Sequence, residues 1–313
     1  MSRFQHLSTR ALVGLAGLVA VSLVGFGVSG VGAGETVVEI HRMAEARFDG
    51  FGDGPVFIAI VGTDDRPGVA GARADAVHVV GINPAERRAT VLNIPRDSYV
   101  PIPGRGNSKI TNTHPFGGAQ LVGETLTAFT GANVQFVITT NFEGFTGLVN
   151  EAGGVSITIP IDVFDSASSA AFPAGAHHLS GEAALALARA RKGVPRGDFT
   201  RTDHQGLLLT AAHAQFLGQG AGAADTIRFA AMLMRHLKTT AGVSIADLYR
   251  LGRLALDIPP ENVMNITMPG AAGSAGGASV VFPADGVDAL FADFADDGII
   301  QNPPAQDGAG KSF

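Results

Sequence analysis

Uncharged and polar stretches alternate along the chain in two distinct ways. Residues 11–34 (ALVGLAGLVAVSLVGFGVSGVGAG) carry no charge over 24 positions. About 20 helical residues at ~1.5 Å each span a ~30 Å hydrocarbon core, so this run predicts one transmembrane helix. Arg3 and Arg10 precede it, and Glu35 and Glu39 follow it. Positive residues stay on the cytoplasmic side, which places residues 1–10 inside and the rest of the chain outside. A cleaved signal peptide is the alternative, and it exports the same remainder.

Beyond residue 34 the apolar runs are short and separated by turn residues. Val- and Ile-rich runs at 56–61, 77–82, 89–94, 134–139 and 155–159 predict strands. NPAERR, residues 83–88, reads as the turn of a hairpin joining the second and third. Helical spacing predicts helices at 118–129, 142–152, 181–189, 201–217, 225–238, 245–256 and 287–295, with another around 37–46 in a polar stem. PGAAGSAGGAS, residues 269–279, reads as a loop. Interleaved strands and helices imply a sheet with helices on its faces, an α/β class. The expected organisation is a cytoplasmic N-terminus (1–10), an anchor (11–34), a stem (35–53), a main domain (54–240), a C-terminal extension packing on it (241–300) and a tail (301–313).

Composition narrows the chemistry. With 46% apolar and only 16% charged residues the chain is not of the disordered class. A net charge of −6 provides no overall positive field for nucleic acid, so none is expected as a partner. The absence of cysteine removes disulfides, thiol nucleophiles and cysteine metal sites. Neither a GxSxG elbow nor a P-loop occurs, and no histidine pair has metal-ligand spacing.

The polar residues that stand out sit at the ends of predicted strands, where open α/β sheets build crevices. GTDDR delivers Asp64, Asp65 and Arg66; ARADAV places Arg73 and Asp75; IPRDSY places Arg96 and Asp97. Asp64 and Asp75 suit Mg²⁺, which accepts one or two carboxylates beside phosphate oxygens. The plainer alternative is solvated loop aspartates with no ion. A second cluster, Arg189, Arg191, Arg196 and Arg201, falls within thirteen residues of an acidic chain. Thr200 is a candidate cap for the next helix, which puts Arg201 in its first turn and Gln205 on the same face. A helix start with several arginines cradles a polyanion. The alternative is a basic loop pairing with Asp198 and Asp203. Carboxylates and arginines without a nucleophile point to phosphoryl transfer, which runs on positioning and charge neutralisation.

GTDDR (62–66), RADAV (73–77), IPRDSYVPIPG (94–104), KITNTHPFGG (109–118), NFEGFTGLVNEAGGV (141–155), HHLSGEAALALARAR (177–191) and RGDFTRTDHQ (196–205) together resemble the LytR–CpsA–Psr family, over about half the chain. The resemblance implies a membrane-anchored extracytoplasmic enzyme that moves a glycopolymer from a polyprenyl-pyrophosphate carrier onto peptidoglycan with Mg²⁺. It implies a three-layer α/β/α sandwich with a central mixed sheet and an apolar tunnel for the prenyl tail. Carried over, Asp64 and Asp75 are the metal-associated acids. Arg73, Arg96, Lys109, Arg189, Arg191, Arg201 and Gln205 surround the pyrophosphate. The expected catalytic set is Asp75, Arg96, Arg201 and Asp198, the last from the GDF motif; Asp75 or Asp64 is the candidate to take the acceptor's proton. Asp65 stands where the family usually has serine. Two rival activities stay open on the sequence: hydrolysis of polyprenyl-pyrophosphate lipids, and a regulatory or binding role of the kind the family's transcription-attenuator label suggests.

Overall fold

The computed structural model describes residues 38–44, 52, 54–65, 71–218, 237–239 and 242–304. The expected N-terminus and anchor (1–34), Arg66 and most of the helix expected at 225–238 lie outside the described residues. Among the described residues no helix is long and apolar enough to cross a membrane.

The strands are β1 (Val38–Arg42), β2 (Val56–Thr63), β3 (Ala74–Asn83), β4 (Arg88–Asn93), β5 (Tyr99–Ile102), β6 (Gly106–Lys109), β7 (Val134–Thr140), β8 (Val155–Ile159), β9 (Val163–Asp165), β10 (Ala170–Phe172), β11 (Gly175–Leu179), β12 (Leu237–Thr239), β13 (Val263–Thr267), β14 (Gly270–Ala275) and β15 (Ala278–Pro283). The helices are α1 (Thr113–Thr130), α2 (Phe142–Glu151), α3 (Gly181–Arg189), α4 (Asp198–Gly218), α5 (Ile245–Asp257) and α6 (Val287–Asp297). Seven strands form one mixed sheet in the order β12-β1-β7-β2-β3-β4-β13. The β2–β3–β4 meander is antiparallel, while β7 runs parallel to β2 and β13 parallel to β4.

Alternation along β2 sends Phe57, Ala59 and Val61 to one face, where they pack with Val122 and Leu126 of α1 and Phe291 and Phe294 of α6. Val56 and Ile58 face the other way and join Leu248, Leu251 and Leu254 of α5. Helices therefore cover both faces, which gives the expected three layers. A satellite core joins β8 and β11 to α2, α3 and α4.

Four expectations change. Residues 38–42 are a strand inside the sheet, hydrogen-bonded to β7, and not part of a stem helix. VVEIHRMAEA carries both periods, and strand pairing decides between them. The end of the helix expected at 225–238 is instead β12, parallel to β1. Residues 270–283 form the β14–β15 hairpin, whose small residues hide strand alternation in the sequence; Val280 and Val281, on opposite faces of β15, are both buried. The main sheet also takes β1 from the expected stem and β13 from the expected C-terminal extension, so one core spans those boundaries.

Two glycines set helix placement. Gly118, at φ 63°, kinks α1 in its first turns. Gly206 lets α4 lie on the sheet; a methyl there would overlap Asn93 and Asn265.

Candidate active site

One end of the sheet collects the polar residues. β2, β4, β7 and β13 all finish there, and the antiparallel β3 begins there. The strand ends hand residues to the same crevice: Asp75 at the start of β3, Arg96 and Asp97 after β4, and Asn141 and Phe142 after β7, while Asp64 follows β2 at the same end of the sheet. A bulge between Gly62 and Thr63 interrupts the β2–β3 register opposite Asp75.

Two cavities open at this end. The first, of about 370 Å³, is apolar inside: Ile60 and Ala76 of the sheet, Phe145 and Val149 of α2, and Leu208 and Ala212 of α4 line it. Its mouth carries Asp75, Arg96, Arg189, Arg191, Arg201 and Gln205. Six residues expected at the site from widely separated motifs thus share one opening. The second cavity, of about 380 Å³, is polar and is lined by Arg73, Arg96, Asp97, Lys109, Thr111 and Asn112, with Arg191 and Ser279. Arg96 and Arg191 border both.

The guanidinium groups differ in what holds them. Arg96 Nη1 donates to Asp75 Oδ1 at 2.6 Å. Burial works against its charge, but Asp75, Asp97 and Asp198 together outweigh it and raise its pKa above the ordinary arginine value. Arg201 is 5% exposed and paired with Asp198 three residues earlier. Burial lowers its pKa; Asp198 opposes that, and the neighbouring Arg96 and Arg191 add to it. Arg201 Nε and Arg96 Nε have no hydrogen-bond partner among the described residues. A buried donor left unpaired costs about 1–3 kcal/mol, so this cluster is built for an incoming acceptor. The unpaired Nε donors ask for an acceptor, and a pyrophosphate has the oxygens to meet several guanidinium forks at once.

Residues that the sequence did not single out position the cluster. Asp165 Oδ2 accepts from the backbone N–H of Arg191 at 2.7 Å and of Lys192 at 2.8 Å, fixing the loop that carries Arg191. Those bonds, Arg191's first, hold its pKa below the usual carboxylate value against burial. Arg189 lies over the Phe142 ring, 4.9 Å from its centroid. Asn141 caps α2 by accepting from Gly144 N at 2.8 Å. Gln205 Nε2 donates to Ala188 O at 2.9 Å, tying α4 to α3. No short-range signal marks Asp165, which acts 26 residues away along the chain.

Other expected residues fall elsewhere. Asp64 borders neither cavity; its Oδ1 accepts the Arg73 backbone N–H at 2.6 Å. Asp198 also borders neither and instead holds Arg201. Arg196 pairs with Asp203 away from both mouths, so the basic-loop pairings with Asp198 and Asp203 do form, alongside the convergence of the other arginines. Helix α4 starts at Asp198, not after Thr200, and Thr200 Oγ1 accepts from Arg196 N at 3.2 Å. Arg201 is still in the first turn.

Asp64 and Asp75 stand at the ends of adjacent strands and offer hard carboxylate oxygens. Among the described residues no three His, Asp or Glu side chains gather as an all-protein cage. Mg²⁺ does not need one: two carboxylates, phosphate oxygens and water complete its shell. The donor set fits.

A family model, the LytR_cpsA_psr family, matches residues 32–291. The chain is 31% identical over 218 residues to a polyisoprenyl-teichoic acid–peptidoglycan teichoic acid transferase, TagU, of Bacillus mycoides, covering 66% of this chain and 71% of that protein. Among solved structures it is similar to Bacillus subtilis TagV, with a TM-score of 0.65 at 25% identity over 79% of this chain and 99% of that one. It is also similar to the LytR-CPS2A-psr family protein YwtF (TagT) of Bacillus subtilis with bound octaprenyl pyrophosphate lipid, at a TM-score of 0.61 and 25% identity over 82% and 97%.

Proposed function

The chain belongs to the LytR_cpsA_psr family, and from that premise we propose that it transfers a glycopolymer from a polyprenyl-pyrophosphate carrier to peptidoglycan. The observation that carries this reading is the apolar cavity whose mouth is ringed by Arg96, Arg189, Arg191 and Arg201. A prenyl tail and a pyrophosphate need these two environments in this order. The relatives' name, teichoic acid transferase, and the octaprenyl pyrophosphate held by YwtF support the same ligand class.

The prenyl chain lies among the side chains of α2, α3, α4 and the sheet, where each buried methylene contributes about 0.8 kcal/mol. The arginines bind the two phosphates and hold the phosphorus nearer the glycan for attack. A sugar hydroxyl of the wall forms the new P–O bond, and polyprenyl phosphate leaves. As the negative charge shifts to the leaving oxygen, Arg96 and Arg201 stabilise it without reorganising, since Asp75 and Asp198 already hold them. Asp75, with Asp64 at the end of the neighbouring strand, would hold a Mg²⁺ ion. When bound, that ion supplies charge neutralisation at the phosphate oxygens. Residues 11–34 anchor the chain in the membrane with the catalytic domain outside, which keeps the mouth near a lipid carrier.

Full-length protein in detergent, given a lipid-linked glycopolymer with and without peptidoglycan, tests the reading. Glycopolymer joined covalently to peptidoglycan, with polyprenyl monophosphate released only when the acceptor is present, is the expected result. Release at an equal rate without acceptor would identify a hydrolase. Chelation of Mg²⁺ lowers transfer if the two acids act as described.

A further inference from the structure

The polar cavity beyond Arg96 plays no part in holding the prenyl tail. Four observations bear on what it takes. Thr111 is 5% exposed, and its Oγ1 has no hydrogen-bond partner among the described residues although it borders the cavity. Asp97 is 8% exposed and borders the cavity, and Lys109 Nζ donates to its Oδ1 at 2.9 Å. Asn112 and Ser279 add an amide and a second hydroxyl. The Ser279 wall comes from the β14–β15 hairpin, which the Val281 N–H to Asp97 carbonyl bond (2.8 Å) and the Ser98–Val281 bridge pin over the same strand ends. Between the cationic Arg73, Arg96, Lys109 and Arg191 the cavity thus offers hydroxyls, an amide and a carboxylate, the groups that hydrogen-bond a sugar, while the cations face the phosphates.

The direction of the reaction assigns the sugar. In phosphoryl transfer the attacking and leaving oxygens lie roughly in line. The leaving oxygen belongs to the prenyl phosphate and points to the apolar cavity. The nucleophile must then approach from the other side of the phosphates, and the polar cavity is the neighbour that shares Arg96 and Arg191 with the apolar one.

We propose that this polar cavity is the acceptor subsite, binding a saccharide of the wall polymer, and that Asp97 receives the proton of the attacking hydroxyl. The inference rests on the transferase reading above. The acceptor oxygen bonds to the phosphorus nearer the glycopolymer. The bond from that phosphorus to the bridging oxygen breaks, its electron pair leaves with polyprenyl phosphate, and the hydroxyl proton passes to Asp97 Oδ2. The products are a phosphodiester-linked glycopolymer and polyprenyl monophosphate. Lys109 is a positioning residue that holds Asp97 in place.

The experiment uses the full-length protein with a lipid-linked glycopolymer and a soluble peptidoglycan fragment, varying each in turn. Asp97→Asn is expected to lower kcat by roughly 10²–10⁴-fold while binding of polyprenyl pyrophosphate is unchanged. Ser279→Trp, at an exposed position of the hairpin, fills the cavity and is expected to raise KM for the acceptor about tenfold, with KM for the donor unmoved and the fold checked by circular dichroism. If Ser279→Trp raised the donor KM instead, the cavity would hold the donor's first sugar, and the proposal would be overturned while the transferase reading stood. Normal kcat in Asp97→Asn would also overturn it. Failure of the unmodified protein to transfer in this assay would remove both.

Discussion

Two cavities of nearly equal size, about 370 and 380 Å³, meet at Arg96 and Arg191 and have opposite linings. The apolar one is built from side chains that also serve the core, on a sheet face and three helices. The polar one is built from strand-end loops and a hairpin of small residues. The apolar cavity sorts ligands by length and shape; the polar one sorts by hydrogen bonding. Two shared arginines between such neighbours make one lipid-linked, doubly charged molecule the natural occupant, with no nucleophilic side chain required.

The largest effect comes from removing a guanidinium at the mouth, either Arg96 on the shared boundary or Arg201 on the apolar side. Arg96→Ala or Arg201→Ala should cost about 2–4 kcal/mol of transition-state stabilisation, a fall in kcat/KM of roughly 30- to 1000-fold. Each also leaves a carboxylate, Asp75 or Asp198, without its partner. Steady-state transfer kinetics on the folded variants, checked by circular dichroism, measure it.

Acid separates the two regions next. His78 borders the apolar cavity and donates through Nδ1 to Asn93 Oδ1 at 2.7 Å, the Asn93 amide itself donating to Asn265. Burial lowers its pKa to about 4, opposed by the Asn93 bond. His204 of α4 is buried without a partner to either ring nitrogen among the described residues, and burial lowers its pKa to about 4 as well. Between pH 6.5 and 4 the unfolded chain binds protons at these histidines that the native state refuses, so stability rises with pH in that window. Acidification through it should remove about 3 kcal/mol per histidine when complete. Chemical denaturation from pH 7 to pH 4.5 checks this, and His204→Gln should flatten the slope.

Filling the apolar side gives a smaller effect. Ala212→Phe places a ring in the cavity and should weaken long-chain polyprenyl pyrophosphate by about tenfold, at 1–2 kcal/mol of misfit. Binding of inorganic pyrophosphate, which needs only the mouth, should not change. Calorimetry with both ligands gives the contrast. Smallest is Asn141→Ala, which removes the α2 cap beside the mouth and should lower stability by about 1 kcal/mol, read as a shift in Tm.

The sequence exposed the site better than its frame. Strands such as 77–82 and 89–94 were legible because Val and Ile runs end at clear turn residues, and the structure pairs them as β3 and β4. Arg96 and the run Arg189, Arg191 and Arg201 stood out because charge is scarce in this chain, but that they converge was implied only by the resemblance to the family's motifs. Asp165, Phe142 and His78 did not stand out, since each acts through a contact distant along the chain. The β14–β15 hairpin was hidden by glycine and alanine, whose strand pairing is decided by backbone hydrogen bonds that leave no side-chain pattern. Residues 38–42 show the same limit in reverse: their apolar spacing fits a helix until β7 claims them.

The central claim is that the apolar cavity and the arginine mouth act on one ligand. A crystal structure of the protein with polyprenyl pyrophosphate tests it most directly. The account predicts the prenyl chain between α2, α4 and the sheet, with phosphate oxygens on Arg96 and Arg201. A lipid bound elsewhere, or a head group seated away from both arginines, would contradict it.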